Sequence, residues 1–178
     1  MNTADPTFAA VLVQLRNGDF SALAPHFAAT PGAPSRISEW SARGLFDHHP
    51  AEAAEALTCA CFLGERATAE CLLQRGLDPT GGNGTGMNAV HWAANRGELA
   101  TLRLLLERQV ALEVLNNYGS TVLGQTIWSA IHQPRPGQHE AIAELIRAGA
   151  DIKAVERPTR DLRIDDMLRG DDRDRGWP

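Results

Sequence analysis

Residues 88–106, NAVHWAANRGELATLRLLL, carry the pattern that most restricts what this chain can fold into. Val90, Ala93 and Ala94 mark the apolar side of one short helix, and a second short helix follows directly after Gly97. The second helix has its apolar stripe at Leu99, Leu102, Leu105 and Leu106. A glycine just past a helix end, followed at once by another helix, predicts a helical hairpin. Neither helix is long enough to be stable alone, so each needs a neighbour that covers its apolar face.

The same unit recurs at a spacing of 33 residues. Leu105 lies 33 positions after Leu72, and Gly97 lies 33 positions after Gly64. The same step forward leads from Asn88 to another polar residue that can begin a helix, Thr121. A fixed period of this length is typical of a solenoid, in which each unit covers the apolar face of the next. We therefore expect an all-α row of hairpins stacked side by side.

Four segments resemble the repeat of the ankyrin family. MNAVHWAANRG is similar to the opening T-P-L-H-x-A-A-x-x-G, with Asn88 and Ala89 in place of threonine and proline. LLLERQVALEV resembles the close L-L-x-x-G-A-D-x-N, with Gln109 where glycine is usual, and RAGADI (147–152) matches that close. NNYGSTVL (116–123) resembles the connecting turn D-x-x-G-x-T-P-L. The resemblance implies an ankyrin-repeat solenoid of helix-turn-helix units, with about four repeats plus capping elements.

The repeats are expected to occupy residues 51–152, flanked by atypical segments. Residues 1–28 resemble a degenerate hairpin that caps the stack, because a terminal repeat must present one face to water. Residues 29–50 are rich in Pro, Gly and Ser, which predicts a long loop rather than a helix. Residues 153–170 are expected to form a C-terminal cap, with one short helix within residues 158–170, and residues 171–178 are expected to be a charged, mobile tail.

The last repeat departs from the period. Leu106 and Ile146 are 40 positions apart, seven more than the period. The segment HQPRPGQ accounts for the excess and predicts a longer loop between the two helices of that hairpin. Gly124 also stands where the preceding repeat has His91.

The composition excludes several classes of protein. The chain has 178 residues, so one domain is the default, and its formal net charge of −5 offers no basic surface for nucleic acid. No run of about eighteen apolar residues is present, so we expect no membrane span. The N-terminus lacks the basic region of a signal peptide, which favours a cytoplasmic protein. The three cysteines, Cys59, Cys61 and Cys71, are expected to be buried free thiols, as in a reducing compartment.

Residues 81–86, GGNGTG, are the one segment that suggests a nucleotide site. A phosphate-binding loop requires a preceding strand and a lysine beside its last glycine. Met87 and Asn88 follow instead, and the only lysine of the chain is the distant Lys153. We therefore interpret this segment as a turn between repeats, in which glycine tolerates positive φ.

The other candidate reactive groups favour structural roles. The resemblance implies that His91 ties one repeat to the turn of the next. His48, His49, His132 and His139 are expected to be solvated loop residues rather than metal ligands. No G-x-S-x-G motif is present, and the acids Asp165, Asp166, Asp171, Asp172 and Asp174 read as a solvated charge run.

The resemblance to ankyrin repeats also implies a concave face that holds partner proteins. The positions that would form it are Phe62, Leu63, Thr85, Met87, Trp92, Asn95, Arg96, Asn117, Tyr118, Ser120 and Trp128. Tyrosine, tryptophan, methionine and arginine are enriched at the centres of interfaces. The alternative is that Phe62, Leu63 and Trp128 only pack beneath the segment before residue 51 and beneath HQPRPGQ.

The expected function is therefore a non-catalytic, monomeric protein-binding module or scaffold. We expect a protein partner, whose identity the sequence does not give, and no nucleic acid, membrane, metal or cofactor. Two alternatives remain open. One is a small enzyme or ligand-binding protein that uses a groove near His91, Trp92 and Asn95, and the other is a regulatory or inhibitory subunit of an enzyme.

Overall fold

A computed structural model describes residues 6–82 and 84–174, the last four of them as backbone only. No β-strand occurs in these residues apart from an isolated bridge between Thr30 and Ala33. The helices are α1 (Pro6–Asn17), α2 (Phe20–Phe27), α3 (Arg36–Ala42), α4 (Pro50–Leu63), α5 (Arg66–Gln74), α6 (Ala89–Arg96), α7 (Leu99–Glu107), α8 (Val122–His132), α9 (Gln138–Arg147) and α10 (Leu162–Asp174).

The central helices form three hairpins in a row, which confirms the predicted all-α solenoid. The hairpins are α4–α5, α6–α7 and α8–α9. Their first helices pack in the order α4, α6, α8, and their second helices in the order α5, α7, α9. At the two ends, α1 and α2 pack on α4, α3 packs on α5, and α10 packs on α9. One continuous core therefore runs the length of the row.

The residues that begin and end the hairpin helices repeat with the predicted period. The Asn88 side chain accepts a hydrogen bond from the backbone N–H of His91, and Thr121 accepts one from Gly124 in the same way. Gly64 and Gly97 end α4 and α6 with φ values of 73° and 71°. Side-chain caps satisfy backbone donors at a helix start, and left-handed glycines end helices at little steric cost. The local sequence thus sets the length and register of each hairpin.

The prediction that residues 29–50 form a loop without a helix is wrong, because α3 lies within them. Ser35 caps this helix by accepting from the N–H of Ser38, and Ile37 and Trp40 are buried. Thr68 of α5 donates to the Phe27 carbonyl oxygen at 2.7 Å, which fixes the neighbouring backbone. The apolar side chains Ile37 and Trp40 of this segment therefore pack onto the body through a short helix.

The C-terminal helix begins and ends later in the chain than predicted. Ile164 and Leu168 bury one face of α10, which packs on α9. The backbone of residues 171–174 continues this helix, so the predicted tail does not begin at residue 171. Residues 175–178 lie outside the described part of the chain. The division into caps, repeats and tail stays a prediction.

Gln109 occupies a backbone conformation that favours glycine, with φ of 55°. The equivalent positions in the neighbouring repeats, Gly76 and Gly149, have φ values of 84° and 96°. We expect Gln109→Gly to raise the free energy of unfolding by roughly 0.5–1 kcal/mol, since the relief of left-handed strain exceeds the added chain entropy. Urea denaturation tests this. Gln109→Ala keeps the Cβ, and an equal gain in that variant would show that strain is not the cause.

Candidate functional site

A cavity of about 420 Å³ opens between α6 and α8. We refer to the segments before these helices, residues 75–88 and 108–121, as the first and second finger turns. The cavity is lined by both turns, both helices and the loop between α8 and α9. Its lining residues are Thr85, Met87, Trp92, Asn95, Arg96, Tyr118, Ser120, Gln125, Trp128, Gln133 and Arg135. Most of the residues predicted for the concave face therefore meet around one cavity.

Trp92 forms an inner wall of the cavity and is held at both ends of its indole. Its Nε1–H donates to the Thr85 hydroxyl at 2.9 Å, which ties α6 to the first finger turn. Its ring meets the edge of the Phe62 ring at a centroid distance of 5.0 Å. The orientation of this indole is therefore set before any partner arrives.

Phe62 and Leu63 do not line the cavity, which corrects their predicted place on the open face. Both side chains are partly buried against the core. Phe62 lies between the rings of Phe20 and Trp92, and the Arg96 guanidinium stacks over it at 4.1 Å. Sequence alone could not show this arrangement, because the three rings belong to three different helices, α2, α4 and α6.

The second finger turn presents Tyr118 at the rim. The Asn116 carboxamide oxygen accepts from the N–H groups of Tyr118 and Ser120, at 2.9 and 3.0 Å, and so closes the turn. The Asn117 N–H donates to the Gly86 carbonyl oxygen, which joins the two finger turns. Tyr118 remains 73% exposed. Asn117 is also exposed but does not line the cavity.

Met87 and Asn95 form the floor of the cavity. Met87 is 4% exposed and Asn95 is 8% exposed. The Asn95 carboxamide nitrogen lies 3.7 Å from the Met87 sulfur. Trp128, by contrast, is 48% exposed and stacks on His132 with a centroid distance of 4.7 Å. The alternative that Trp128 is covered by HQPRPGQ is therefore wrong.

The seven-residue insertion builds the outer wall. Gln138 is buried, and its amide donates to the Asn95 carbonyl oxygen at 2.6 Å and to the Ser129 hydroxyl at 3.0 Å. Its side-chain oxygen accepts from the backbone N–H of Arg135 at 2.7 Å. Gly97 and Gly137 meet backbone to backbone where the loop crosses the end of α6. These contacts place Gln133 and Arg135 at the cavity. The sequence prediction included neither of these residues, nor Gln125, which also lines the cavity.

Two charged side chains line the cavity, and both are arginines, Arg96 and Arg135. Neither forms an ion pair with a carboxylate among the described residues. Burial lowers the pKa of Arg96, the nearby charge of Arg135 lowers it further, and Glu98 opposes the shift. The Arg96 Nε is buried without a hydrogen-bond partner in the described structure. The cavity thus combines aromatic walls with positive charge.

His91 is a structural residue and does not line the cavity. It is fully buried, with Nδ1 2.8 Å from the Asn88 side-chain oxygen and Nε2 3.2 Å from the Ser120 carbonyl oxygen. Burial lowers the pKa of His91, against the opposing effect of the Ser120 contact. The position confirms that this side chain joins one repeat to the next finger turn. Of the three residues named for the alternative groove, Trp92 and Asn95 line the cavity and His91 does not.

The glycine-rich part of the first finger turn is held as a turn. The Gly84 N–H donates to a Glu55 carboxylate oxygen at 2.7 Å, and the Thr58 hydroxyl donates to the Gly82 carbonyl oxygen at 3.1 Å. Burial raises the pKa of Glu55, and the bond from Gly84 opposes that rise. A carboxylate at this position would repel a bound phosphate. The geometry supports the interpretation as a turn between repeats.

The remaining candidate groups are separated from the cavity. Burial raises the pKa of the Cys59 and Cys61 thiols, and all three cysteines are free. The His139 Nε2 lies 3.0 Å from an Asp161 carboxylate oxygen, so this side chain is paired rather than simply solvated. Among the described side chains, which lie in residues 6–82 and 84–170, no three His, Cys, Asp or Glu are grouped as a metal site. No helix there is long and apolar enough to cross a bilayer.

The stacked hairpins, the helices that end at glycines of positive φ, and the finger turns define a helical-repeat solenoid. Its candidate site lies on the side of the finger turns. A family model of ankyrin repeats, three copies long, matches residues 56–156. The chain belongs to the ankyrin repeat family.

Known proteins show the same repeats and fold. Ankyrin repeat domain-containing protein 29 from Danio rerio is 42% identical over 66 residues, which is 36% of this chain and 20% of the relative's length. An ankyrin repeat domain from Acinetobacter baumannii AYE has a TM-score of 0.59 at 18% identity, covering 92% of this chain and 97% of that one. A chain from the complex of the predatory endopeptidase Bd0816 from Bdellovibrio bacteriovorus with immunity protein Bd3460 has a TM-score of 0.55 at 24% identity, covering 67% of this chain and 64% of that one.

Proposed function

We propose that this protein is a non-catalytic module that binds a partner protein through the cavity between α6 and α8. The observation that carries the proposal is the assembly of one cavity from two finger turns, two helices and an insertion. Ankyrin repeats are generally protein–protein interaction modules, and the insertion is what makes this face deeper than a flat groove. The exposed rings of Tyr118 and Trp128 form its rim.

The side chains of the cavity suit a protein interface. Tryptophan, tyrosine and arginine are the residue types that most often dominate binding energy. The hydrogen bond between Trp92 and Thr85 and the anchoring of the loop by Gln138 fix the walls in advance. A wall that is already ordered loses little conformational entropy on binding. We infer that the inner walls and the rings of Tyr118 and Trp128 at the mouth supply affinity, and that Asn117 contacts the partner at the edge.

Cellular location and oligomeric state follow as further parts of the proposal. Three free cysteines, two of them fully buried, suit a reducing compartment such as the cytoplasm. We propose a monomer that presents this face to its partner.

A phage-displayed library of random peptides, selected on the immobilised wild-type protein, tests the proposed function. We expect peptides whose affinity falls about tenfold or more in Tyr118→Ala/Trp128→Ala, because exposed aromatic anchors at an interface centre contribute at that level. The matched control is Leu115→Ala/Leu162→Ala, which removes exposed side chains outside the cavity. Equal affinity of the selected peptides for both double variants and the wild type would refute the proposal.

A further inference from the structure

We propose that the partner enters this cavity with an acidic residue beside an aromatic or large aliphatic residue. In this arrangement the carboxylate meets Arg96 and Arg135, and the apolar side chain lies against Trp92 and Trp128. This inference rests on the proposed function and specifies the chemistry of the partner segment.

The charge of the cavity differs in sign from the charge of the chain. The protein carries a formal net charge of −5, yet its cavity is lined by two arginines and by no aspartate or glutamate. Burial and the charge of Arg135 lower the pKa of Arg96, and the carboxylate that opposes this shift belongs to Glu98, outside the lining. A ligand carboxylate would relieve the repulsion between the two arginines. A basic segment would add to it.

The position of Arg96 favours a planar, hydrogen-bonding anion. The central carbon of its guanidinium lies 4.1 Å from the centre of the Phe62 ring, and this contact restricts the orientation of the group before binding. No described carboxylate lies within ion-pair distance of this guanidinium. An arginine fork held in this way matches the geometry of a carboxylate, and such pairs are stronger in a partly desolvated site.

The rest of the cavity favours an apolar neighbour to that carboxylate. Trp92 forms the inner wall, Met87 lies in the floor, and Trp128 and Tyr118 stand at the mouth. A volume of about 420 Å³ is within the range of pockets that hold compact ligands and is large enough for an aromatic side chain. The arginines lie on the side of the cavity formed by the end of α6 and the insertion. One segment can therefore place an acid at the arginines and a ring against the tryptophans.

Sequencing the peptides from the selection described above tests this chemistry. We expect Asp or Glu to be enriched next to Trp, Phe, Tyr or Leu in peptides that require Tyr118 and Trp128. In Arg96→Gln/Arg135→Gln we expect their affinity to fall about tenfold or more, the loss typical of a desolvated ion pair. The control Arg43→Gln/Arg163→Gln removes the same charge from exposed positions outside the cavity and should leave affinity unchanged.

Charge reversal provides a second readout that does not depend on Arg96, whose partly buried side chain contributes to packing. Arg135 is exposed on the loop, so Arg135→Glu should fold normally, with an unchanged thermal melt. Selection on this variant should lose the enrichment of acids and gain lysine or arginine.

The outcomes separate the two proposals. Peptides that depend on Tyr118 and Trp128 but show no acidic enrichment, and that bind the arginine variants as well as the wild type, would overturn the acidic segment while the protein-binding cavity stands. A selection that yields no cavity-dependent peptide would overturn both.

Discussion

Gly97→Ala is expected to lower the free energy of unfolding by about 3 kcal/mol or more, the sum of left-handed strain and overpacking. Gly97 ends α6 with φ of 71°. A Cβ there would overlap the Pro136 carbonyl oxygen and lie 2.8 Å from the Gly137 carbonyl carbon. Both atoms belong to the backbone of the insertion, so a side-chain rotation cannot relieve the clash. The loop that carries Arg135 would have to move away from α6.

Gly119→Ala separates the effect of left-handed strain from the effect of overpacking. Gly119 has a similar φ of 76°, but an added Cβ would have no atom within 4 Å. This variant should lose only the left-handed strain, about 1–2 kcal/mol. Urea denaturation of both variants at the same pH measures the difference. Equal losses of unfolding free energy in the two variants would mean that the insertion does not pack on the end of α6. The insertion would then not form the outer wall of the cavity.

Leu105→Ala should lower the free energy of unfolding by about 2–5 kcal/mol, the usual cost of a large-to-small change in a closed core. Leu105 is fully buried in α7, within the core shared by neighbouring hairpins. Because each hairpin is too short to be stable alone, we expect the loss to weaken the whole stack in a single cooperative transition.

Leu115→Ala is the matched control, since the same atoms are removed from a side chain that is 59% exposed. Its effect should stay within about 0.5 kcal/mol. Denaturant midpoints for the two variants provide the comparison. Similar small losses in both would contradict the placement of Leu105 at the contact between hairpins.

The repeating parts of the fold were predictable because their determinants are local. Asn88, Thr121, Gly64 and Gly97 act on the backbone within a few residues of themselves, and each performs the role that its position in the repeat implies. The leucine stripe of α7 likewise follows from helical spacing. Helix α3 could not be predicted in this way. A seven-residue helix between Pro- and Gly-rich segments has too few turns to show a period.

The candidate site was predicted only in part, because it depends on contacts between distant segments. Finger-turn residues such as Tyr118 occupy fixed places in the repeat, so the resemblance could indicate them. Arg135 reaches the cavity only because Gln138 binds the carbonyl group of Asn95 across the hairpin. The irregular length of HQPRPGQ was the available signal, but length alone does not show where a loop packs.

The most direct test of the account is an NMR titration of the tryptophan indole N–H resonances with a peptide selected on the wild-type protein. Trp92 and Trp128 line the cavity, whereas Trp40 is buried in the core and outside the lining. Trp92→Phe and Trp128→Phe assign the two cavity signals. We predict that both shift on peptide binding while the Trp40 signal stays in place. A peptide that binds without moving the Trp92 and Trp128 signals would contradict the cavity as the binding site.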